Sequence, residues 1–481
     1  MTDNDLVSAL FGLNPWWSGK GVDREELPTT ERFLSGAMER LLADPSFERA
    51  LFIAGPRGVG KSTLFLQQIR GLLAQNSIHP KQILYVSMDH LALKGRSWDQ
   101  WFSLYLHDIK PPAKPVYLFL DEVQHGSDWP LSIKNLLDAK KGYRIAFTGS
   151  ACGMIQKNID DALGRRTLTL RLPPLSLYEY VGLLAPAELA PSLDEQLPSS
   201  LEALNSSSQI IQAARLSEVL ETHYRRYLLQ GGFPEIARRK SLAEAQQMMR
   251  EDIVEKALQK DMRAYFNVQN ETDLERLFFY LCVHTGSELN KKKAADALGV
   301  DARQTIGRYV GALEDAQLVY ALSHVSGKIQ RHDKLYISDA SLRNGILSRG
   351  ESLFEDRTDE FGHVAETAVA AHVIPWSLSE GRRVAYWKGE EGEIDFEIEC
   401  PDGRVFLIEV KNERRPDIPL LLLKRHERRK GVARFLLTRY PEHSGLHIAK
   451  ETDTSVIRLP IPLFLYMAGR SLKEHYRRFG S

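Results

Sequence analysis

The stretch ALFIAGPRGVGKSTLFLQQI, residues 50–69, decides the fold of the first third of the chain. It opens on an apolar run, breaks into a glycine-rich loop and resumes with apolar residues at helical spacing. Strand, loop and helix are the setting that the pattern GxxxxGK[ST] requires. Gly55, Pro56, Arg57, Gly58, Val59, Gly60, Lys61, Ser62 and Thr63 fill it. Glycines let backbone N–H groups turn inward around phosphates. Lys61 is placed to reach β- and γ-phosphates, and the Ser62 hydroxyl to ligate Mg2+. The expected cofactors are therefore ATP and Mg2+.

Working outward, VYLFLDEVQH (116–125) ends an apolar run in Asp121 and Glu122. Asp121 is expected to hold Mg2+ through water. Glu122 is expected to orient or activate the attacking water, so that ATP is hydrolysed and not merely bound. The apolar runs ALFIAG, ILYVSM, VYLFLDE, YRIAFTGS and TLTLRL predict a parallel sheet buried on both faces, with a strand between the loop strand and the Asp121 strand. In FTGS, Thr148 or Ser150 is placed to sense the γ-phosphate. ALGRRTLTL supplies Arg165 and Arg166. They are either arginines acting on a neighbouring subunit's nucleotide, which implies a homo-oligomer, or solvated loop residues. In NPWW (14–17), Trp16 and Trp17 either stack on adenine or clamp onto the core.

A chain of 481 residues exceeds one core, so two to four domains are expected. Apolar residues make up 43% and charged residues 26%, an ordinary globular balance. Lys and Arg total 63, as do Asp and Glu, so any nucleic-acid contact must be a local patch. Cys152, Cys282 and Cys400 are far apart, which points to a reducing compartment and against a cysteine zinc site. No apolar run approaches the ~18 residues of a membrane span. The start, MTDNDLVSAL, lacks a basic leader. A cytoplasmic protein without a membrane partner is expected.

NKKKAADALGVDARQTIGRYVGALEDAQLV (290–319) has a helix-turn-helix pattern. Ala295 and Leu298 face a core, Gly299 turns the chain and Asp301 caps the next helix. Ile306, Val310 and Leu313 share one face; Arg303, Gln304 and Arg308 share the other. ALSHVSGKIQRHDKLYIS (321–338) follows as a hairpin with Lys328, Arg331 and His332 at its tip. The pattern is a winged helix with DNA as partner, or a protein–protein spacer on the same frame.

In GEIDFEIECPDGRVFLIEVK (392–411), Glu393 and Asp395 lie two apart on one strand, and Glu409 and Lys411 repeat the spacing on the next. A metal-dependent phosphodiesterase needs hard oxygen ligands around Mg2+ or Mn2+ and a cation beside the phosphate. Asp395 and Glu409 are the expected ligands, joined by Glu366 from FGHVAETAVAAHVI (361–374), with Lys411 as the cation. The basic LLLLKRHERRKG (420–431) suits a phosphate backbone. Helix, strand with Asp, strand with ExK, helix is the order of the PD-(D/E)xK nuclease core. An inactive relic of that core, or a hairpin whose charges pair with one another, fits the same residues.

Taken together, GPRGVGKST, LFLDEVQ, FTGS, LPPLSLYEY, GGFPE, KLYISD and YWKGEEGEIDFEIE…IEVK resemble the prokaryotic family of AAA-type ATP-binding proteins with a C-terminal restriction-endonuclease-like domain of unknown function. The resemblance implies an α/β multidomain protein. Its parts are a P-loop AAA+ ATPase domain with a parallel sheet (1–180), a helical lid with a variable insertion at 181–217 (181–262), a winged helix (263–345) resembling that of origin-recognition-type ATPases, and a PD-(D/E)xK nuclease-like domain (346–481). Three functions stay open. One is an ATP-hydrolysing protein that acts on DNA and carries a metal-dependent nuclease tail, in defence or mobile-element control. The second is an ATP-dependent switch whose inactive tail holds nucleic acid or a protein partner. The third is a protein-remodelling or regulatory ATPase whose winged helix is an interaction module.

Overall fold

The computed structural model describes residues 3–22, 27–94, 96–150, 152–204, 206–261, 270–300, 303–326, 333–355, 359–413, 416–449 and 454–479. The chain forms two compact units, residues 1–172 with 476–481, and residues 173–475.

In the first unit, β1 (Ala50–Ala54), β2 (Ile83–Ser87), β3 (Val116–Asp121), β4 (Tyr143–Gly149) and β5 (Thr167–Arg171) form one sheet in the order β2-β3-β4-β1-β5. All pairings are parallel. Every residue of β1 and β3 is buried, which is why these strands read as unbroken apolar runs. β4 stands between β1 and β3, as the sequence predicts. The loop after β1 and the acids ending β3 therefore meet at one edge, beyond the carboxyl ends of the strands. Trp16 and Trp17 both donate their indole N–H to the carbonyl of Ile83, at 3.1 and 2.9 Å, and Trp17 stacks on Tyr105. These tryptophans clamp the N-terminal segment onto the sheet.

The second unit opens with the helix Leu177–Leu184. Ser176 and Glu179 form a reciprocal capping box at its start. The Leu177 N–H donates to His372 Nε2 at 2.9 Å, while His372 Nδ1 bonds Ala368 O at 2.8 Å. Burial pushes this imidazole down to about 4, so it is neutral and able to accept that bond. The predicted insertion carries helices of its own, Leu189–Gln196 and Ser207–Arg215.

Three helices follow, Glu271–Val283, Lys291–Leu298 and Arg303–Asp315, with β6 (Ser287–Glu288), β7 (Val319–Leu322) and β8 (Lys334–Ile337) as an antiparallel sheet in the order β6-β8-β7. Ala295, Ile306, Val310 and Leu313 are buried, while Gln304 and Arg308 are exposed. Gly299 takes φ 67°, a left-handed helix end that favours glycine. Asp301, Lys328, Arg331, His332 and the Arg303 side chain lie outside the described residues.

The last sheet is mixed and six-stranded. It contains β9 (Arg383–Gly389), β10 (Gly392–Glu399), β11 (Val405–Lys411), β12 (Val432–Thr438), β13 (Gly445–Ala449) and β14 (Thr454–Pro460), in the order β13-β14-β12-β11-β10-β9. The helix Asp359–Ser379 covers one face, where Trp376 meets Phe406. Leu421 and Leu422 pack on Ile394, Leu407 and Leu436. Strict alternation fails in β10. Ile394 pairs with Trp387 but Glu397 with Ala385, so β10 carries one extra residue. Ile394 accordingly joins the Leu407 cluster, while Phe396 packs on Tyr336.

None of the described helices is long and apolar enough to cross a membrane. One close approach is testable. A Cβ on Gly232, in the GGFPE motif, would lie 2.2 Å from Asp339 Oδ2 in KLYISD, and the Gly232 N–H donates to Ser341 Oγ at 3.1 Å. Gly232→Ala should cost about 1–3 kcal/mol of stability, the range for an overpacked interior, measured by urea unfolding.

Candidate functional site

The loop after β1 is shaped by its glycines. Gly58 and Gly60 take φ of 81° and 94°, which other residues adopt only under strain. A Cβ on Gly55 would fall 2.4 Å from the Leu172 carbonyl, so the first glycine is a matter of space. Lys61 begins the helix Lys61–Leu73 and is buried. Its ammonium donates to the carbonyls of Gly55 and Pro56, at 2.8 and 3.0 Å. Arg32 Nη1 donates to Val59 O at 2.5 Å and ties the loop's crest to the preceding segment.

The acids at the end of β3 differ in their surroundings. Asp121 is buried and accepts from Tyr85 Oη at 2.9 Å and from Thr148 Oγ1. Burial and the neighbouring Glu122 charge raise its pKa, against hydrogen bonds from Ser62, Thr148 and Tyr85. The Ser62–Asp121 contact places together the hydroxyl and carboxylate expected to hold Mg2+. This hard-oxygen donor set fits that ion. Glu122 has φ 52°, a left-handed turn that lifts its side chain out of the strand pattern. Its carboxylate accepts from Ser150 N and Oγ, both at 3.2 Å, and from Gln124 Nε2. Burial alone would raise its pKa, but Lys61, Gln124, Arg57 and Ser150 together hold it below the usual value. Glu122 therefore stays ionised, as a group that accepts a proton or a hydrogen bond from water must be.

The structure brings together Lys61, Ser62, Asp121, Glu122 and Ser150, which the sequence patterns name. The patterns miss Tyr85, Gln124 and Arg32. Gln124 could have been found from its spacing two residues beyond Glu122. Tyr85 reaches the site from β2 and Arg32 from the segment before the helix Ser35–Ala43, and neither leaves a local signal. Arg165 is exposed, and Arg166 pairs with Asp138 at 2.7 Å.

In the second unit, the acids of the C-terminal sheet meet a cation that sequence patterns do not suggest. Lys334, on β8, is buried and places Nζ 3.1 Å from Glu366, 3.4 Å from Asp395 and in contact with Glu393. Burial would depress its pKa; Glu366, Asp395 and Glu393 hold it well above the ordinary lysine value. Tyr336 Oη donates to Glu366 Oε1 at 2.6 Å. Asp395 Oδ2 accepts from the Val410 N–H at 2.9 Å, bridging β10 and β11 beside the extra residue. Lys411 pairs with Glu409 at 2.7 Å, while Glu409 Oε2 is buried without a hydrogen-bond partner. Burial raises both Asp395 and Glu409 above the usual carboxylate range, with the Glu366 charge adding to it at Asp395 and the Asp395 charge at Glu409. Glu366, Asp395, Glu409 and Lys411 are thus neighbours. Among the described residues, however, no group of three or more His, Cys, Asp or Glu is arranged to hold a metal ion. The carboxylates converge on an ammonium.

Comparisons with known proteins agree with the first unit. Residues 47–181 match the model of the AAA domain, and residues 221–353 match that of a domain of unknown function, DUF8612. Two uncharacterized proteins of Methanocaldococcus jannaschii are similar. One is 24% identical over 373 residues, 75% of each chain, and the other 23% identical over 290 residues, 58% of each. Partial structural likenesses include the Aeropyrum pernix ORC1 protein in complex with DNA, at 12% identity and TM-score 0.28, covering 67% of this chain and 93% of that one. Another is AMPPCP-bound DnaA from Aquifex aeolicus, at 17% identity and TM-score 0.27, covering 63% and 92%. The sheet order, the loop and the AAA match together make residues 47–181 an AAA-type P-loop ATPase domain.

Lys61→Ala should abolish ATP binding in calorimetry. Glu122→Gln should retain binding and slow hydrolysis by ~10²-fold, as loss of a positioned base does. Equal turnover in Glu122→Gln and the wild type would remove Glu122 from the chemistry.

Proposed function

We propose that the chain is an ATP-hydrolysing AAA+ protein that acts on DNA through a winged helix and carries a nuclease-like C-terminal domain. One observation carries the ATPase part. Lys61 of the loop and Ser62 beside Asp121 form a phosphate and Mg2+ cradle, with an ionised Glu122 alongside. With nucleotide bound, Lys61 would exchange its two carbonyl partners for phosphate oxygens. Ser62 and Asp121 would hold Mg2+, which supplies charge neutralisation at the β- and γ-phosphates. Glu122 would orient water. Arg165, exposed beside β5, is the residue we assign to a neighbouring subunit's nucleotide in a homo-oligomer.

The DNA part is supported by three helices on a three-stranded antiparallel sheet, with Gln304 and Arg308 exposed on the third helix and Lys291, Lys292 and Lys293 exposed on the second. Local positive charge of this kind is what a chain of zero net charge needs to hold phosphate. The nuclease part is supported by the order helix, Asp395 strand, Glu409–Lys411 strand. A second reading, a switch whose nuclease-like domain cuts nothing, is favoured by the Lys334 ammonium among its acids. Mg2+- or Mn2+-dependent cleavage that is lost in Asp395→Ala separates the two.

The DNA assignment predicts salt-dependent binding of duplex DNA. Removing Arg303 and Arg308 should weaken it and lower the slope of log affinity against log salt by up to ~2, near one unit per lost phosphate contact. Unchanged affinity in the double variant, measured by fluorescence anisotropy across a salt series, would make the module a protein-interaction spacer.

A further inference from the structure

Lys334 stands in an unusual position for a lysine. It is 3% exposed, in a strand, and its ammonium is shared by carboxylates from two other elements, Glu366 on the helix Asp359–Ser379 and Glu393 and Asp395 on β10. Backbone hydrogen bonds tie its sheet to the C-terminal sheet. Val325 N donates to Tyr386 O at 2.9 Å, and Tyr386 N to Ser323 O at 3.1 Å. Lys388 adds a second bridge, pairing with Glu288 of β6 at 2.9 Å and Glu393 of β10 at 3.3 Å. The ammonium is thus delivered by one module into the acids of another.

A divalent ion bound by Glu366 and Asp395 would draw on the same two carboxylates that Lys334 now engages through Glu366 Oε1 and Asp395 Oδ1. Two cations cannot share them in a buried site, because their repulsion is poorly screened there. One acceptor remains unspent beside them, Glu409 Oε2, buried and without a hydrogen-bond partner. The cluster therefore holds a filled cation position next to an unsatisfied oxygen.

We propose that Lys334 is a built-in cation that closes this carboxylate site. A divalent ion and the Lys334 ammonium are alternative occupants, and metal enters the Glu366–Asp395–Glu409 set only when β8 withdraws Lys334. The choice of a divalent ion rests on the nuclease-like reading of the sheet. The exclusion by Lys334 rests on the cluster alone.

The test is Mn2+ titration of the full chain without nucleotide, with free Mn2+ followed by electron paramagnetic resonance. Neither ATP hydrolysis nor DNA cleavage is the readout, so failure of either leaves this result standing. Each protein is compared with its Asp395→Asn counterpart, which isolates the site from the P-loop. Lys334→Met should gain an Asp395-dependent Mn2+ site at least about tenfold tighter than any in the wild type, since one charge repelling the ion is gone. Asp395-dependent binding of equal strength in the wild type would overturn the proposal. So would a folded Lys334→Met that gains no site. If Lys334→Met fails to fold, its rescue by Mn2+ or Mg2+ during refolding supports the exchange of cations, and failure of both ions to rescue it refutes the exchange.

Discussion

The second unit depends on how it neutralises a cluster of buried and half-buried acids. Glu366, Glu393 and Asp395 are drawn together by apolar packing, of β10 on β8 through Phe396 and Tyr336 and of the helix Asp359–Ser379 on β11 through Trp376 and Phe406. Without a cation these carboxylates would repel one another where water cannot screen them. Lys334 provides the charge, and Tyr336 caps Glu366 from the same strand. Burying such a set gains little net stability against well-packed apolar residues, but it penalises every arrangement that leaves one member unpaired. The cluster thus fixes where β8 lies against β10.

Lys61 and Lys334, both buried, are held in opposite ways. Lys61 is bound by the neutral carbonyls of Gly55 and Pro56, partners that a phosphate oxygen outcompetes because charge-assisted hydrogen bonds are stronger. Lys334 is bound by carboxylates, and exchanging it requires a cation of higher charge or movement of the strand that carries it. The first arrangement suits a site that fills and empties with nucleotide. The second suits a latch. Glu122 and Asp121 repeat the contrast among acids. Neighbouring positive charge and hydrogen bonds keep Glu122 ionised, while burial beside Glu122 raises Asp121.

What could be read from sequence follows the range of the interactions. The P-loop, β3 with its two acids, and β4 were legible because strand, loop and helix are set by neighbours in the chain. The helices Lys291–Leu298 and Arg303–Asp315 were legible from the spacing of Ile306, Val310 and Leu313 and from Gly299. Asp395, Glu409 and Lys411 were legible as a set, but their surroundings were not. Lys334 lies 61 residues before Asp395, and KLYIS reads simply as the end of the hairpin 321–338. The extra residue between Ile394 and Glu397 breaks the alternation that the hairpin pattern assumes. β9, β13 and β14 carry mixed polar and apolar residues whose burial is decided by pairing, so they gave no clear signal.

The central claim, that Lys334 and the acids form one mutually dependent unit, is tested most directly by a double-mutant cycle between Lys334→Met and Glu366→Gln, read by chemical denaturation. Breaking one member of a buried pair should cost about 3–5 kcal/mol. The double variant should lose less than the sum of the singles, with a coupling of about 1–3 kcal/mol. Additivity within ~0.5 kcal/mol would mean that the two groups do not depend on each other and would contradict the account.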